Sequence, residues 1–444
     1  MNWKAILSAA LFCFGSTALA GPLPKPLQDS DFPKFSEAEV ELGRQLFWDK
    51  ILSGNKNIAC ASCHHPRFGT SDGLSLGMGE GGIGLGKGRK ADPNNPPEQR
   101  IPRNSPALWN NGAHQYSVLF ADGRIEQDQN RASGSRTPLE DEMVKEFASI
   151  LSAQAMFPVL SQDEMAGHYG ESKVSKLVRQ GRITSEDGAW AEIAKRVSEI
   201  PEYAKQFALV YPEIAKGKPI GFTDISNAIA AFITVSFRSD QSPFDAYLRE
   251  QKPMSQAAMR GLELFYGEAS CDTCHSGPIF SDMKFHAMGD VQIGPGKAER
   301  FEKHQRDIGR MRVSNNPKDA YAFRTTPLRN VTLTAPYGHA GAITDLTAYV
   351  KHHINPKPNL AQYDLASATL PKMNTNKPDL NPDPVTGADF AAIAAHRIDY
   401  APKLNDRQIA DIVAFLHALE DPQAKQGGHL PIPDQVPSGL PVDR

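Results

Sequence analysis

Cys60-Ala61-Ser62-Cys63-His64 and Cys271-Asp272-Thr273-Cys274-His275 decide how this chain is read. In each, two thiols are spaced to form thioethers with the vinyl groups of one haem, and the histidine that follows is placed to reach its iron. The only other cysteine, Cys13, lies outside both motifs. A zinc site would not require a histidine directly after each pair, and a thioredoxin-like motif would not normally repeat with one. A disulfide within Cys-x-x-Cys closes so short a loop that it adds little stability. The motifs therefore read as two sites of covalent c-type haem attachment. Cys60, Cys63, Cys271 and Cys274 are the attachment points, and His64 and His275 the iron ligands.

The chain repeats itself around these motifs. Leu42-Gly43-Arg44-Gln45-Leu46-Phe47-Trp48 precedes the first and Arg260-Gly261-Leu262-Glu263-Leu264-Phe265-Tyr266 the second, with Gly, Leu and Phe in register. Further on, helical patterns over 224–237 and 408–419 share an Ile-x-Ala-Phe core at Ile229–Phe232 and Ile412–Phe415. Order and spacing together predict duplication: a mainly α fold of two cytochrome c-like haem domains joined by long Gly/Pro-rich loops. The domains are expected over 21–245 and 246–420, since Ser, Asp and Pro interrupt the helical pattern over 238–254. A Pro/Gly-rich tail, 421–444, is expected to wrap the surface or stay disordered. Residues 77–100, rich in glycine up to Gly88 and in proline from Pro93, read as a flexible flap beside the first haem. No strand precedes them and no Gly-Lys-Ser/Thr follows, as a phosphate-binding loop would need.

Composition excludes several classes. Of 444 residues, 40% are hydrophobic and 22% charged, as in an ordinary globular protein. Lys+Arg 48 against Asp+Glu 51 gives a net charge of −3, so no general basic excess marks a nucleic-acid binder. Residues 1–20 carry Lys4, an apolar run from Ala5 to Phe14, and Ala18-Leu19-Ala20 before Gly21. This is the pattern of a secretory signal peptide cleaved after Ala20, leaving an exported protein with no membrane span.

Over roughly residues 35–420 the sequence resembles the bacterial di-haem cytochrome c peroxidases, which include the MauG-like enzymes. Besides the haem motifs, the resemblance rests on Pro102-Arg103-Asn104-Ser105-Pro106, Asp122-Gly123-Arg124, Thr325-Thr326-Pro327-Leu328-Arg329-Asn330-Val331 and Ala335-Pro336-Tyr337-Gly338-His339. It implies a periplasmic enzyme in which hydrogen peroxide reacts at the first haem. Electrons from a small cytochrome c or a cupredoxin would enter through the second. His64 would be the proximal ligand of the peroxidatic haem and His275 that of the electron-transfer haem. The family's Gln, the Pro four residues later and the catalytic Glu ten residues after the Gln fall on Gln154, Pro158 and Glu164. Glu164 is thus the implied acid-base residue and Gln154 the residue that orients peroxide or water. Calcium between the domains would be held by the side chain of Asn104 and the carbonyls of Thr325 and Pro327.

Counting from Leu346, the position where relatives carry Met or Tyr as sixth ligand of the second haem falls on His353, with His352 its neighbouring rival. Residues 66–113 contain no His, so the first haem is expected to be open, with Met78 the only obvious soft ligand in that loop. Where relatives often carry a Trp before Asp-Gly-Arg, between the haems, this chain has Ala121, which leaves Trp109 as a bridge or a core aromatic. The insert 125–146 is read as the shaper of a partner surface. Two other functions fit the motifs: a MauG-like enzyme that uses a high-valent di-haem state to oxidise residues of a protein substrate, and a non-enzymatic di-haem electron carrier. A homodimer is left open.

Overall fold

A computed structural model describes residues 21–297, 306–356, 363–373 and 387–444, so the signal-peptide stretch lies outside the described residues. Helix accounts for 40% of the chain and strand for 6%, which makes the fold mainly α.

The repeat is visible as two helix crossings. The Ser36 side chain accepts from the Glu39 amide and opens helix Glu37–Trp48, which lays Leu42, Leu46 and Phe47 against helix Phe222–Ser236. Ser255 opens helix Gln256–Phe265 in the same way, and that helix packs on Asp406–Ala418. Each crossing is closed by a glycine. A Cβ at Gly43 would overlap the carbonyl oxygen of Ala228, and one at Gly261 would overlap that of Asp411. Four residues after each of those carbonyls comes a phenylalanine. Phe47 meets Phe232 with ring centres 5.0 Å apart, and Phe265 meets Phe415 at 5.2 Å. The glycines and phenylalanines in register are thus the contact residues of two equivalent helix pairs.

These crossings centre separate hydrophobic cores. The first gathers Leu46, Phe47, Trp48, Ile193, Phe207, Ile229, Phe232 and Phe237, and the second gathers Phe244, Leu262, Phe265, Phe280, Phe415 and Leu419. The stretch expected to be irregular contains a short helix, Pro243–Leu248, whose Ser242 and Asp245 side chains cap each other's backbone amides.

Two segments are more firmly fixed than their composition suggests, and of the two readings of the tail the structure takes wrapping. The glycine-rich segment is not an open flap. Arg89, buried, donates to the carbonyls of Met78, Gly79 and Gly84 and pins the turn from inside, and Met78 and Glu80 are fully buried. Arginine satisfying several carbonyls at once converts a low-propensity stretch into a fixed loop. The tail is ordered against the first core: Val436 is buried, Ser438 Oγ donates to Asp49 at 2.6 Å, and Asp443 pairs with Lys50 at 2.6 Å. Asp443 also accepts from Ser62 Oγ at 2.6 Å, so the tail braces a residue inside the first Cys-x-x-Cys-His motif. The insert 125–146 supplies strands Ile125–Gln127 and Ser135–Arg136 of a three-stranded antiparallel sheet. It contacts the chain's own second half, where Arg310 pairs with Glu126 and Arg136 donates to the Val313 carbonyl.

Overpacking a tight contact costs about 1–3 kcal/mol, so Gly43→Ala and Gly261→Ala are each expected to lower unfolding free energy by about that amount. Gly88→Ala, where a Cβ would meet nothing within 4 Å, is expected to change it by less than about 0.5 kcal/mol. Denaturant titration of the haem-loaded protein is the check, and equal stability in all three variants would contradict the crossings.

Candidate di-haem site

Residues Cys60–Cys63 form a single helical turn, with His64 as its C-cap. His64 Nδ1 lies 3.1 Å from the carbonyl oxygen of Thr70, and His275 Nδ1 lies 3.1 Å from that of Phe280. A carbonyl only accepts, so in both rings Nδ1 carries the proton and Nε2 keeps the lone pair that a metal ion takes. Burial lowers the pKa of both imidazoles, His275 to about 4 with the His353 charge adding to the fall, so both are in the neutral, ligating form. The four motif cysteines are not joined in disulfides. Burial pushes Cys60 and Cys63 up to about 12, and at Cys63 Arg89 opposes the rise while the carboxylates of Asp72 and Glu164 add to it. Two cysteines followed by a histidine that presents Nε2 fit c-type haem at both motifs.

The two sites differ on their far sides. His353, on helix Leu346–Ile354, faces His275 with ring centres 6.2 Å apart. A metal–imidazole bond is about 2 Å long, so two imidazoles sharing one metal ion have ring centres roughly 6 Å apart. His352, its neighbour, is buried with Nε2 3.9 Å from Asp290 Oδ1. Among the described residues no imidazole ring is packed against His64 as His353 is against His275. Glu164 instead stands near this motif, close enough for its charge to act on Cys63, in a half-buried turn of π-helix, Gln162–Ala166. Gly79 fixes that turn, because a Cβ there would run into the backbone of Asp163 and Glu164. Gln154 is half-buried on helix Ile150–Ala155.

The segments between the motifs organise the site. Ser105 Oγ donates to the Cys63 carbonyl at 2.8 Å and lies 3.4 Å from His64 Nδ1. Asn104 donates its backbone amide to the His339 carbonyl and its side-chain amide to that of Leu74. Arg103 reaches Asp122 with Nη1 at 2.7 Å and grips Asp307 with Nε and Nη2 at 2.6 and 2.9 Å. Arg329, also buried, makes the same two-pronged contact with Asp245 at 2.7 and 2.8 Å, and its Nε donates to the Pro278 carbonyl just after the second motif. The Thr325 carbonyl accepts from Ser281 Oγ at 2.7 Å and from Arg324 at 3.2 Å, which uses both its lone pairs. Trp109 sits in the first core, edge-on to Phe237, and the Ala121 carbonyl accepts from the Arg324 amide.

A family model for di-haem cytochrome c peroxidase matches residues 37–253. The chain belongs to the di-haem cytochrome c peroxidase family. It is therefore a haem peroxidase among the oxidoreductases, in a family that carries two haems. It is 29% identical to the cytochrome c551 peroxidase of Pseudomonas aeruginosa over 74% of this chain and 76% of that protein. It is 28% identical to the methylamine utilization protein MauG of Methylorubrum extorquens over 71% of this chain and 68% of that protein. Its fold is similar to that of a MauG-like protein associated with microbial copper homeostasis, with a TM-score of 0.58 and 24% identity, over 92% of this chain and 96% of that one. No helix among the described residues is long and apolar enough to cross a membrane.

Sequence reasoning missed Asp290 and Asp307, which belong to no motif and whose partners lie far along the chain. It also missed Asp282 and His286, paired at 2.9 Å and grouped with Cys274. The sole signal for Asp307 was its converse, a buried arginine in Pro102–Pro106 that needs an acid.

Burial alone would raise the Asp122 carboxyl, but Arg103 and Arg124 overcome it and hold it down to about 2. An acid depressed below its unfolded value of about 4 contributes stability that is complete above that pH and lost as pH falls through the folded value. The thermal midpoint is thus expected to fall between about pH 4 and 2. Arg103→Met, which strands two buried carboxylates, is expected to cost about 3–5 kcal/mol at pH 7. Unchanged stability of that variant in a denaturant titration would contradict the role given to the arginine.

Proposed function

We propose that this protein is an exported, periplasmic di-haem c-type peroxidase that reduces hydrogen peroxide to water with electrons relayed through the second haem. The observation that carries this reading is the asymmetry of the two sites. A histidine faces His275 across one iron-sized gap, whereas the His64 side has a carboxylate, Glu164, within electrostatic reach. A plain electron carrier needs no such difference.

Haem, which Cys60 and Cys63 and Cys271 and Cys274 would hold, would supply the iron for O–O cleavage and the route for electrons. The chain's own residues set the geometry and move the protons. Thr70 fixes the His64 ring so that Nε2 presents its lone pair, and Ser105 steadies the same ring and the Cys63 backbone. Glu164 takes the proton from the inner peroxide oxygen and returns it to the leaving oxygen, which departs as water. Two further protons and two electrons complete the second water. Gln154 orients the peroxide. His353 would hold the second haem from the side opposite His275, which would keep peroxide from it. The reading places the peroxidatic domain at 21–245 and the electron-transfer domain at 246–420, supported by the two separate cores. The donor is a small cytochrome c or a cupredoxin. Calcium at Asn104, Thr325 and Pro327 would have to displace Ser281 from the Thr325 carbonyl.

A second reading, oxidation of residues of a protein substrate, is favoured by the histidine at position 353 and by the likeness to MauG. The experiment that tests the first is steady-state peroxide reduction by a reduced small cytochrome. Glu164→Gln is expected to lower kcat by about 10²–10⁴-fold with both haems retained. Turnover in the wild type that the variant leaves intact would remove Glu164 from the chemistry. No turnover with any small donor would favour the protein-substrate reading.

A further inference from the structure

Both motif histidines have a partner for Nδ1, but His353 has none: its Nδ1 is buried and makes no hydrogen bond. Around it lie two more imidazoles in the same condition. Both ring nitrogens of His352 and both of His339 are buried without a hydrogen-bond partner. One carboxylate stands among these three rings. Asp290 Oδ2 is 3.7 Å from His339 Nδ1, Asp290 Oδ1 is 3.9 Å from His352 Nε2, and Tyr349 donates its hydroxyl to Oδ1 at 3.3 Å. Tyr349 is one helical turn before His353, and the two rings lie 5.6 Å apart. The Asp290 carboxylate is thus met by polar atoms of Tyr349, His339 and His352.

A carboxylate so placed has two physical effects. Through Tyr349 it ties helix Leu346–Ile354 in place, which sets where His353 meets the gap opposite His275. As a negative charge within electrostatic reach of His353, it would make that ligand more electron-donating and favour the oxidised metal.

We propose that Asp290 is the positioning residue of the second haem site, holding the His353 end of its helix against His275 and keeping the reduction potential of that haem low. The inference rests on the reading that His353 is the second ligand there. It also explains why a half-buried acid is set among histidines in a region that no haem motif covers.

The test is spectroelectrochemical titration of the haem-loaded protein, with Asp290→Asn, Asp290→Glu and Asp290→Ser compared with the wild type. Asp290→Asn keeps the acceptor for Tyr349 and removes the charge. It is expected to make the second haem easier to reduce by about tenfold in its one-electron equilibrium constant, 59 mV, with the first haem unmoved. Asp290→Glu, which restores the charge, is expected to return the midpoint toward the wild type. Asp290→Ser serves as the uncharged variant if Asp290→Asn fails to take up both haems. A midpoint unchanged in an uncharged, fully loaded variant would overturn the proposal. The underlying reading is tested separately by the electron paramagnetic resonance of the wild type. Without a low-spin bis-imidazole signal, His353 is not the ligand; with that signal and no shift, Asp290 alone is excluded.

Discussion

Arg103 carries a full charge in the interior, and the arrangement of the two halves depends on its being answered there. An unpaired guanidinium at that depth would be prohibitive, so Asp122 from the first half and Asp307 from the second are drawn to it. The two residues that follow act from the same anchor. Asn104 binds the His339 and Leu74 carbonyls, and Ser105 touches Cys63 and His64. Three consecutive side chains therefore link the second half, the loop after the first motif and His64. A shift at the clamp would be felt at His64, whose ring position sets where Nε2 points.

Duplication built the scaffold, and departures from it built the function. The glycine crossings and the carbonyl partners of His64 and His275 are nearly interchangeable between halves. What lies opposite each histidine is not. Helix Leu346–Ile354 brings an imidazole to the second site, whereas the turn of π-helix at Gln162–Ala166 brings a carboxylate near the first. In the proposed reading, one copy of the fold excludes a ligand and the other works on one.

Much of this was legible in the residues because it follows from short-range pattern. Cys-x-x-Cys-His is a local signal, and the Gly and Phe repeats are helix faces that must meet something. What escaped was set by contacts between distant parts of the chain. Gly77–Gly88 has the composition of a flexible loop, and only the position of Arg89 inside it makes it rigid. The tail reads as surface wrapping, yet Asp443 reaches Ser62 across almost the whole sequence. Asp290 and Asp307 have no neighbours in sequence that mark them, since their meaning comes from the imidazoles and the guanidinium they face. The family pattern singled out Glu164 and His353 by spacing, and three dimensions add what stands near each: Cys63 within reach of the one and His275 facing the other.

The account stands most directly on one measurement: absorption spectra of the resting ferric, haem-loaded protein mixed rapidly with one equivalent of hydrogen peroxide, without prior reduction. It predicts a high-spin component from the first haem beside a low-spin component from the second. The high-spin component should be consumed within the first turnover. Two low-spin haems that ignore peroxide would contradict the asymmetry on which the account is built.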